Sequence, residues 1–271
     1  MELDGRTAVI TGGASGIGRA LAERCHREGM SVVLADIEGE KNAAVAGAID
    51  PTGERVLAVT CDVADPDQVD ALKRQALDRF GAVHLLCNNA GVACGRPNIK
   101  TSPAMWKWVV DVNLLGVAYG VSAFAPAMVA QGEGHIVNTA SEAGLTASPV
   151  LGSYHATKYA VVGLSESLAM ELEGTGVGVT CVCPELVDTK VFEATRNAPP
   201  ELGLPAPPPV DIRDVAKWMG TVPMDPADAA AQIVYAVRAG RFWVLTHDST
   251  RARVRFRNDN LEAGRPPKMG R

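Results

Sequence analysis

The sequence predicts an α/β fold with one doubly wound parallel sheet of about seven strands and helices on both faces. Short β-rich runs alternate with helical stretches along most of the chain, and this alternation implies crossovers that place helices on both sides of a parallel sheet. The run 31–35 is almost entirely apolar, as expected for a strand buried on both faces. A chain of 271 residues, 47% of them hydrophobic, suits one large domain with a substantial core.

The predicted elements follow from this alternation in chain order. Strands are predicted where β-rich residues cluster in short runs, at 7–11, 31–35, 55–60, 83–88, 134–140, 177–183 and 241–246. Helices are predicted in the stretches between them, at 16–29, 39–49, 66–80, 103–131, 152–173, 211–219 and 226–240. We therefore assign residues 1–246 to one domain and residues 247–271 to a C-terminal tail.

A glycine-rich turn follows the first predicted strand and opens the first helix. Glycine permits backbone angles closed to other residues and lets a pyrophosphate approach the main chain, while the helix N-terminus directs free N–H groups at the phosphates. Glycine-rich turns also occur as ordinary tight turns. Here an acidic residue, Asp36, follows about twenty positions later, which is the context of a dinucleotide site. The predicted cofactor-binding residues in this turn are Gly12, Ser15, Gly16, Ile17 and Gly18.

Asp36 ends the second predicted strand, where its carboxylate can accept hydrogen bonds from both hydroxyls of an adenosine ribose. A 2′-phosphate at the same place would meet like charge, and the neighbouring Ile37 and Ser15 supply no cation to hold it. The sequence therefore favours NAD over NADP. The alternative role for Asp36 is a helix N-cap, which is compatible with ribose binding.

Charge and composition exclude several other classes of protein. The net charge is −5, but residues 247–271 carry seven Arg and Lys against three acidic residues, a balance of +4, so the rest of the chain sums to −9. With Phe256 as its one aromatic residue, this basic tail favours a solvated or subunit-contacting segment over a nucleic-acid site. The first residues lack signal-peptide character and we expect no membrane span, so the predicted location is the cytoplasm.

The cysteine and histidine positions indicate neither a metal site nor a disulfide framework. None of the six cysteines has metal-ligand spacing, and the five histidines are scattered. We expect reduced thiols packed in the core and no metal.

Prolines interrupt the regular alternation after the sixth predicted strand. The cluster excludes an interior helix or strand, because proline removes a hydrogen-bond donor and clashes within a helix. It follows the carboxyl end of a strand, where open α/β sheets bind ligands. Residues 185–225 are therefore predicted to be a lid over the substrate, with a plain surface excursion as the alternative. The prolines are Pro184, Pro199, Pro200, Pro205, Pro207, Pro208 and Pro209, and the apolar residues are Val187, Val191, Phe192, Leu202, Leu204, Trp218 and Met219.

A tyrosine and a lysine four residues apart, Tyr154 and Lys158, share one face of the helix predicted at 152–173. A tyrosine with an ordinary pKa near 10 is a poor acid or base at neutral pH, and a nearby ammonium favours its phenolate. Ser141, at the end of the preceding strand, can hydrogen-bond a substrate carbonyl while the phenol exchanges a proton with it. Such Tyr–Lys pairs are common on exposed helices, so the spacing alone identifies nothing.

Taken together, these motifs resemble the short-chain dehydrogenase/reductase family. The resemblance runs from about Leu3 to Thr189 and continues more weakly to about residue 246. It rests on the glycine-rich turn at 11–18, Asp62-Val63, Asn88-Asn89-Ala90-Gly91, Asn113, Ser141, Tyr154-x-x-x-Lys158 and Pro184. It implies a single-domain Rossmann fold with Asn113, Ser141, Tyr154 and Lys158 as a catalytic tetrad.

The resemblance also implies a role for each of these residues. Tyr154 would be the general acid/base, Ser141 would orient the substrate oxygen, and Lys158 would bind the nicotinamide ribose and lower the tyrosine pKa. Asn113 would hold a water that links Lys158 to solvent. The remaining cofactor contacts would be Asp62 and Val63 at the adenine, Asn88 and Ala90 at the adenine-ribose side, and Val187 and Thr189 at the nicotinamide. Ile37 and Gly91 are also predicted to contact the cofactor.

Two positions depart from the family pattern. Glu185 stands where the family usually has glycine after Pro184, so its carboxylate could contact substrate or point to solvent. Thr157 replaces the commoner serine before Lys158, but neither change removes a member of the tetrad.

The predicted function is hydride transfer between NAD(H) and a secondary alcohol or ketone, which the apolar lid predicts to be hydrophobic. An NADP-dependent ketoreductase is one alternative, with Asp36 as the residue that discriminates. A non-catalytic dinucleotide-binding regulator is the other, although such a protein would not need all four tetrad residues.

The sequence also predicts a homotetramer, or otherwise a homodimer. The helices at 103–131 and 152–173 carry apolar residues beyond one stripe, more than one sheet face can cover, so part of this surface should meet another subunit. In the family resembled, these two helices pair across a two-fold axis. The residues are Val109, Val112, Leu114, Leu115, Val117 and Val121 on the first helix and Val161, Val162, Leu164, Leu168 and Leu172 on the second.

Overall fold

The computed structural model describes residues 1–204, 207 and 209–270. Its centre is a seven-stranded sheet in the order β3-β2-β1-β4-β5-β6-β7, and every neighbouring pair is parallel. The strands are β1 (Thr7–Thr11), β2 (Ser31–Asp36), β3 (Val56–Thr60), β4 (Leu85–Asn88), β5 (Gly134–Thr139), β6 (Val177–Cys183) and β7 (Trp243–Leu245). The predicted fold class and all seven strands are confirmed, although β4 and β7 are shorter than the runs that predicted them.

Helices cover both faces of the sheet. One hydrophobic cluster joins the sheet to α1, α2 and α8, and a second joins it to α3, α5 and α6. This arrangement is the doubly wound architecture that the sequence predicts. The helices are α1 (Gly16–Arg27), α2 (Gly39–Ile49), α3 (Pro66–Phe80), α4 (Pro103–Val110), α5 (Gly116–Gln131), α6 (Gly152–Glu171), α7 (Ile212–Met219), α8 (Pro226–Ala239) and α9 (Ser249–Glu262).

Side-chain caps determine where several of these helices start. Asp65, Asp211 and Asp225 each accept a hydrogen bond from the backbone N–H two residues later, and Ser102 accepts one from Met105. Three of these helices also begin with proline, whose missing N–H would have no partner in the first turn. These polar and proline pairs therefore place the helix starts within a residue of the predictions.

The long helix predicted at 103–131 is interrupted by a π-helical turn, Asp111–Leu115, which separates α4 from α5. Such turns break the regular hydrogen-bond ladder and often occur at functional sites. Asn113 lies in this turn and is fully buried. By length and composition the stretch Pro103–Gln131 also satisfies a membrane-span criterion, contrary to our expectation, but 44% of its most apolar window is buried inside the chain.

The segment predicted as a lid contains short helical pieces. These are the 3-10 helices Val191–Asn197 and Pro200–Leu202 and the helix α7. Its base is held by backbone hydrogen bonds that Asp188 donates to Met224 and Met224 donates to Leu186. Pro205, Ala206 and Pro208 of this predicted lid lie outside the described residues, as does Arg271 of the tail.

The basic tail also contains regular structure that the sequence reasoning missed. Residues Ser249–Glu262 form α9, which begins four residues after β7. Within the described part of the tail, residues 247–248 and 263–270 lack helix.

Candidate active site

One cavity of about 1050 Å³ opens at the carboxyl ends of the strands. This is the edge at which open parallel sheets bind ligands, because the loops after the strands converge there. Its walls come from the glycine-rich turn, the loops after β2 to β6, the lid, α6 and the C-terminal segment. Of the predicted site residues, those that line the cavity are Gly12, Ser15, Gly16, Ile17, Asp36, Ile37, Asp62, Val63, Ala90, Gly91, Ser141, Tyr154, Lys158, Val187 and Thr189.

The glycine-rich turn presents the N-terminus of α1 to this cavity. Gly12 and Gly16 have φ of +69° and +53°, in the left-handed region that favours glycine. No side chain caps the first turn of α1, and that turn holds no acidic residue. Its free N–H groups and positive dipole end therefore remain available for a pyrophosphate, so the turn fits a dinucleotide.

Gly18, predicted to touch the cofactor, lies beneath the turn and does not line the cavity. A Cβ at this position would come within 2.1 Å of the Gly12 carbonyl oxygen, so glycine is needed there for packing of α1 on the turn. Gly16 instead faces Thr189, whose Cγ2 would lie 2.9 Å from an added Cβ. The phosphate turn and the predicted nicotinamide segment are thus neighbours in space.

Asp36 connects the end of β2 to the glycine-rich turn. Its Oδ2 accepts a hydrogen bond from the Ala14 N–H and its Oδ1 accepts one from the Glu38 N–H, both at 2.9 Å. Asp36 is not the N-cap of α2, because that position belongs to Glu38. A carboxylate has about four acceptor sites, so Asp36 retains capacity for ribose hydroxyls at the cavity wall.

A cation does reach this end of the cavity, contrary to the expectation from residues 15 and 37. Arg196, from the lid, lines the cavity and pairs with Glu38 at 2.9 Å. The hydrogen bond from Arg196 lowers the pKa of the Glu38 carboxyl. This guanidinium is therefore neutralised by a carboxylate two residues from Asp36.

Ser141, Tyr154 and Lys158 converge at the other end of the cavity. Ser141 follows β5; its hydroxyl donates to the Pro184 carbonyl at 3.3 Å and accepts from the Ala143 N–H at 3.1 Å. On α6, the Lys158 Nζ lies 5.6 Å from the centre of the Tyr154 ring and donates to the Thr139 carbonyl at 2.8 Å. The predicted helical spacing thus places both side chains beside Ser141.

Burial shifts the pKa values of both Tyr154 and Lys158. Loss of water raises the pKa of the Tyr154 phenol, and the Ser141 hydroxyl acts in the opposite direction. Burial also lowers the pKa of Lys158 to about 8. We expected Lys158 to lower the pKa of Tyr154. In the cofactor-free chain the pKa of Tyr154 is raised instead, because desolvation is the largest effect on both side chains.

Asn113 is in contact with the backbone rather than the cavity. Its side chain accepts from the Val92 N–H at 2.8 Å and donates to the Val92 carbonyl at 2.9 Å and to the Thr157 hydroxyl at 3.2 Å. Thr157 in turn donates to the Tyr154 carbonyl at 2.9 Å. Asn113 thus links the loop after β4 to the first turn of α6.

Asn88 is likewise buried behind the cavity rather than in its wall. Its Nδ2 donates to the Asn138 Oδ1 at 2.9 Å, and Gly120 packs so closely that a Cβ there would lie 2.1 Å from the Asn88 Oδ1. The prediction that Asn88 contacts the adenine ribose is not supported by this position. Its neighbours Asn89, Ala90 and Gly91 line the cavity instead.

His155 holds the loop that follows Ser141. The Ser148 N–H donates to its Nε2 at 3.0 Å, so Nδ1 carries the proton that is donated to the Ala143 carbonyl at 2.8 Å. The imidazole therefore ties two points of the loop after Ser141 to α6. No feature of the sequence distinguished this residue from an ordinary helical position.

The family model for the short chain dehydrogenases matches residues 6–200, more than half of the chain. The chain belongs to the short-chain dehydrogenase family. A 1-deoxy-11-beta-hydroxypentalenate dehydrogenase of Streptomyces exfoliatus is 33% identical over 96% of this chain and 90% of its own length. A sorbitol dehydrogenase of Cereibacter sphaeroides is 39% identical over 69% of this chain and 73% of its own.

Solved structures show the same relationship. A short-chain dehydrogenase/reductase from Burkholderia phymatum, crystallised in complex with NAD, superposes with a TM-score of 0.92 at 40% identity. The match covers 100% of this chain and 99% of that one. The Rossmann-like sheet and the dehydrogenase class are therefore shown together.

This short-chain dehydrogenase also contains a buried charge cluster beside Ser141. The Arg253 guanidinium, from α9, contacts Glu142 at 3.1 Å and Glu185 at 2.7 Å, and it donates to the Met219 carbonyl at 3.1 Å. The three charged side chains are 11%, 8% and 0% exposed. One arginine thus joins α9, the end of α7 and the loops after β5 and β6.

Burial acts differently on the two carboxylates of the cluster. It raises the pKa of Glu142, although Arg253 opposes the shift. Burial also acts to raise the pKa of Glu185, but hydrogen bonds from Ser249, Thr221 and Arg253 outweigh it and leave that pKa lowered. The contacts of Glu185 explain the departure from the family pattern, because its carboxylate binds the start of α9 in place of solvent.

Proposed function

We propose that this short-chain dehydrogenase transfers hydride between NAD(H) and a hydrophobic secondary alcohol or its ketone. The observation that carries the proposal is the convergence of Ser141, Tyr154 and Lys158 at one end of a cavity whose other end holds Asp36. The three side chains at the first end suit proton exchange at the oxygen of an alcohol. The Asp36 carboxylate suits the hydroxyls of an unphosphorylated adenosine ribose.

When bound, the nicotinamide would supply or accept the hydride. Tyr154 would accept the hydroxyl proton in oxidation and return it to the carbonyl oxygen in reduction. Ser141 would turn its hydroxyl from the 3.3 Å contact with the Pro184 carbonyl to the substrate oxygen. Because burial raises the pKa of Tyr154, we expect alcohol oxidation to accelerate with rising pH.

Lys158 would donate hydrogen bonds to the hydroxyls of the nicotinamide ribose. Its ammonium Nζ has one protein partner, the Thr139 carbonyl, and so retains donors for them. Asn113 would act through Thr157 and Val92, which it contacts, rather than by touching substrate. Its proposed role is to hold the start of α6 against the loop after β4. A water relay near Lys158 stays a prediction.

The preference for NAD rests on the carboxylate of Asp36 and on the pairing of Arg196 with Glu38. The related protein from Burkholderia phymatum was crystallised with NAD, which agrees with this proposal. The alternative is NADP, which would require Arg196 to leave Glu38 and face a phosphate beside Asp36. Side-by-side kinetics with both cofactors decide between them.

The substrate proposal rests on the cavity, because the names of the two relatives differ widely, one referring to a hydroxypentalenate and one to sorbitol. Apolar lid residues line the cavity: Val187, Val191, Phe192, Leu202, Trp218 and Met219. Leu202 and Leu204 both pack against the neighbouring hydrophobic cluster, and Leu204 does not line the cavity. These side chains support a hydrophobic substrate over a polyol.

The test is a screen for cofactor reduction with a panel of secondary alcohols, from short aliphatic alcohols to steroids and hydroxyacyl compounds. NAD should be reduced with at least one hydrophobic alcohol, and NADP more slowly. Failure of every alcohol, with tight NAD binding retained, would favour the non-catalytic regulator. We further propose a cytoplasmic location, since all six cysteines are buried free thiols, and fractionation tests it.

A further inference from the structure

The C-terminal arm, which we define as residues 249–270, forms part of the wall of the cavity. Four residues of α9, Arg253, Arg257, Asn260 and Leu261, line it. Their spacing of four, seven and eight residues puts them on one face of the helix. Arg265, Lys268 and Met269 continue this wall beyond the end of α9.

Buried contacts hold the arm in place. Arg253 occupies the charge cluster with Glu142 and Glu185, and the Ser249 and Thr250 hydroxyls donate to the Glu185 carboxylate. Two successive hydroxyls and a nearly buried arginine thus fasten the first turns of α9 next to Ser141. These contacts fix the arm in position as one wall of the substrate end of the cavity.

Several cations of the cavity wall are paired with carboxylates, and Lys158 donates to the Thr139 carbonyl instead. Lys107, Lys190, Arg196 and Arg253 each pair with a carboxylate at 2.6 to 3.0 Å. Among the described residues, Arg257, Arg265 and Lys268 have no carboxylate within ion-pair distance. Three unneutralised cations consequently face one end of the cavity.

The contacts of these cations leave them free to bind a ligand. Arg257 donates to the Asn258 Oδ1 at 3.1 Å and lies over the Tyr159 ring at 5.4 Å, and Arg265 donates to the Asp259 carbonyl at 3.1 Å. Each guanidinium has five N–H donors, so most of them remain available for an oxyanion.

A buried amide points to the same conclusion. Asn260 is only 7% exposed, and its Nδ2 has no hydrogen-bond partner among residues 1–204, 207 and 209–270. An unpartnered buried donor is costly, by about 1–3 kcal/mol, and buried polar groups generally find a partner. Asn260 lines the cavity between Arg257 and Arg265, and its Nδ2 is shielded from solvent, so a ligand oxygen would satisfy it once the amide turns towards the cavity.

Large apolar side chains stand exposed beside these polar groups. Trp218, Leu261 and Met269 line the cavity and are 58%, 67% and 47% exposed. A wall that combines unpaired cations, a free amide donor and exposed apolar groups matches a molecule with both an apolar body and an anionic group.

We propose that the C-terminal arm binds an anionic oxygen group of the substrate, through Arg257, Asn260, Arg265 and Lys268. This inference rests on the proposed function, because it assumes that an alcohol or ketone occupies the cavity. The group would be a carboxylate of the substrate itself or the phosphates of a carrier attached to it. The arm follows the edge strand β7, whereas β2 and Asp36 lie in the other half of the sheet, so these cations serve the substrate rather than the adenosine.

The test compares three forms of one hydrophobic secondary alcohol, namely ricinoleate, its methyl ester and its coenzyme A thioester. Each is assayed for NAD reduction by the wild type and by Arg257→Gln/Arg265→Gln/Lys268→Gln. The matched control is Arg251→Gln/Arg255→Gln, which removes two arginines of α9 that do not line the cavity. Laurate and methyl laurate are also measured as inhibitors of octan-2-ol oxidation.

We expect the wild type to favour an anionic form over the methyl ester by tenfold or more in kcat/KM, through KM. A preference for the free acid assigns the site to a carboxylate, and a preference for the thioester assigns it to carrier phosphates. The triple variant should bring the ratio close to one by losing kcat/KM for the anionic forms, and the control should keep the wild-type ratio. Laurate should likewise inhibit the wild type, but not the triple variant, more strongly than its ester.

Equal kcat/KM and equal inhibition for charged and neutral forms would overturn the anion site and leave the proposed function intact. The same holds if the control variant changes the ratio as much as the triple variant does. If no alcohol is oxidised, including octan-2-ol, the proposed function itself fails. In that case direct binding of laurate against methyl laurate still tests the arm.

Discussion

Replacing Arg253 with methionine should destabilise the protein more than any other single change in the C-terminal arm. The substitution keeps much of the side-chain volume but removes the only cation that contacts both Glu142 and Glu185 among the described residues. Two nearly buried carboxylates would then face each other without compensation. Removing one partner of a buried ion pair typically costs about 3–5 kcal/mol, and we expect an effect of that size on the free energy of unfolding.

The loss should also lower kcat. Ser141 is held by the loop that contains Glu142, whose N–H donates to the Pro184 carbonyl at 2.7 Å, and Glu185 follows directly in the opposing loop. Repulsion between the two carboxylates would separate these loops and displace the Ser141 hydroxyl. A displacement of this kind lowers turnover more than cofactor binding, because Asp36 and the glycine-rich turn lie elsewhere.

The dependence on pH identifies the cause. Without Arg253, both carboxylates should have pKa values above those of the unfolded chain, so the folded state binds more protons than the unfolded state over that interval. Stability then falls as pH rises through this interval. The variant should therefore lie closest to the wild type near pH 4–5 and furthest from it at pH 7 and above.

Urea unfolding followed by tryptophan fluorescence, at several pH values, measures these differences. Glu142→Gln/Glu185→Gln in the Arg253→Met background should recover most of the lost stability, because no uncompensated charge remains. Arg251→Met is the matched control on α9, exposed and outside the cluster, and should change stability by less than about 0.5 kcal/mol. An Arg253→Met effect as small as that of the control, or one independent of pH, would refute the reasoning.

Four further outcomes are expected. Tyr154→Phe should fold and bind NAD but lose about 10²–10⁴-fold in turnover, because it deletes only the proton carrier; retention of more than a tenth of the rate, with hydride transfer rate-limiting, contradicts that role. Asp36→Ala should weaken NAD by roughly 1.5–3 kcal/mol and relax discrimination against NADP, and a wild type that already prefers NADP would show that residue 36 was misinterpreted. Lys158→Met should abolish turnover, yet it should raise the free energy of unfolding of the cofactor-free protein at pH 7 by about 1–3 kcal/mol, since burial has lowered the lysine pKa to about 8. This gain in stability should shrink as the pH rises from 8 towards the pKa of a lysine in the unfolded chain. A gain that stays constant with pH argues against the burial penalty. We also propose a homotetramer, or otherwise a homodimer, and light scattering that finds a monomer at micromolar concentration would exclude both.

The oligomer prediction has less support from the structure than the apolar pattern suggested. Of the eleven apolar residues that motivated it, seven are buried within the single chain, including Val109, Val161 and Leu168. The sheet, α3 and the contact between α4 and α6 cover more of these helices than the sequence pattern implied. Its remaining support is the partly exposed surface around Leu114, Leu115, Val121 and Leu164.

Sequence reasoning worked best for features that depend only on residues close together in the chain. The alternation of strands and helices, the helix starts at proline and aspartate, and the left-handed glycines at 12 and 16 follow from neighbouring residues. The same holds for Tyr154 and Lys158, since a separation of four on a helix brings two side chains to one face whatever the rest of the fold does.

Contacts between distant segments were not accessible in this way. Asn88 and Gly18 belong to recognisable motifs, yet both lie behind the cavity. Asn88 packs against Gly120, and Gly18 packs against the Gly12 carbonyl. Arg196 meets Glu38 across 158 positions of sequence, so the neighbours of Asp36 could not disclose it. The basic tail was interpreted by its charge alone, whereas its arginines at 253 and 257 share a helical face that only docking of α9 reveals.

The sequence by itself therefore determined the fold class, the family, the phosphate turn and the Tyr–Lys pair, because each is encoded in short-range periodicity or spacing. Only the tertiary structure decided the partner of Glu185, the burial of Asn113 and the place of the C-terminal arm in the cavity wall. These depend on which loops the parallel sheet brings together at one edge. Arg253 meets Glu142 from 111 positions away because β5, β6 and β7 are adjacent in the sheet, and no local pattern in a single sequence records that adjacency.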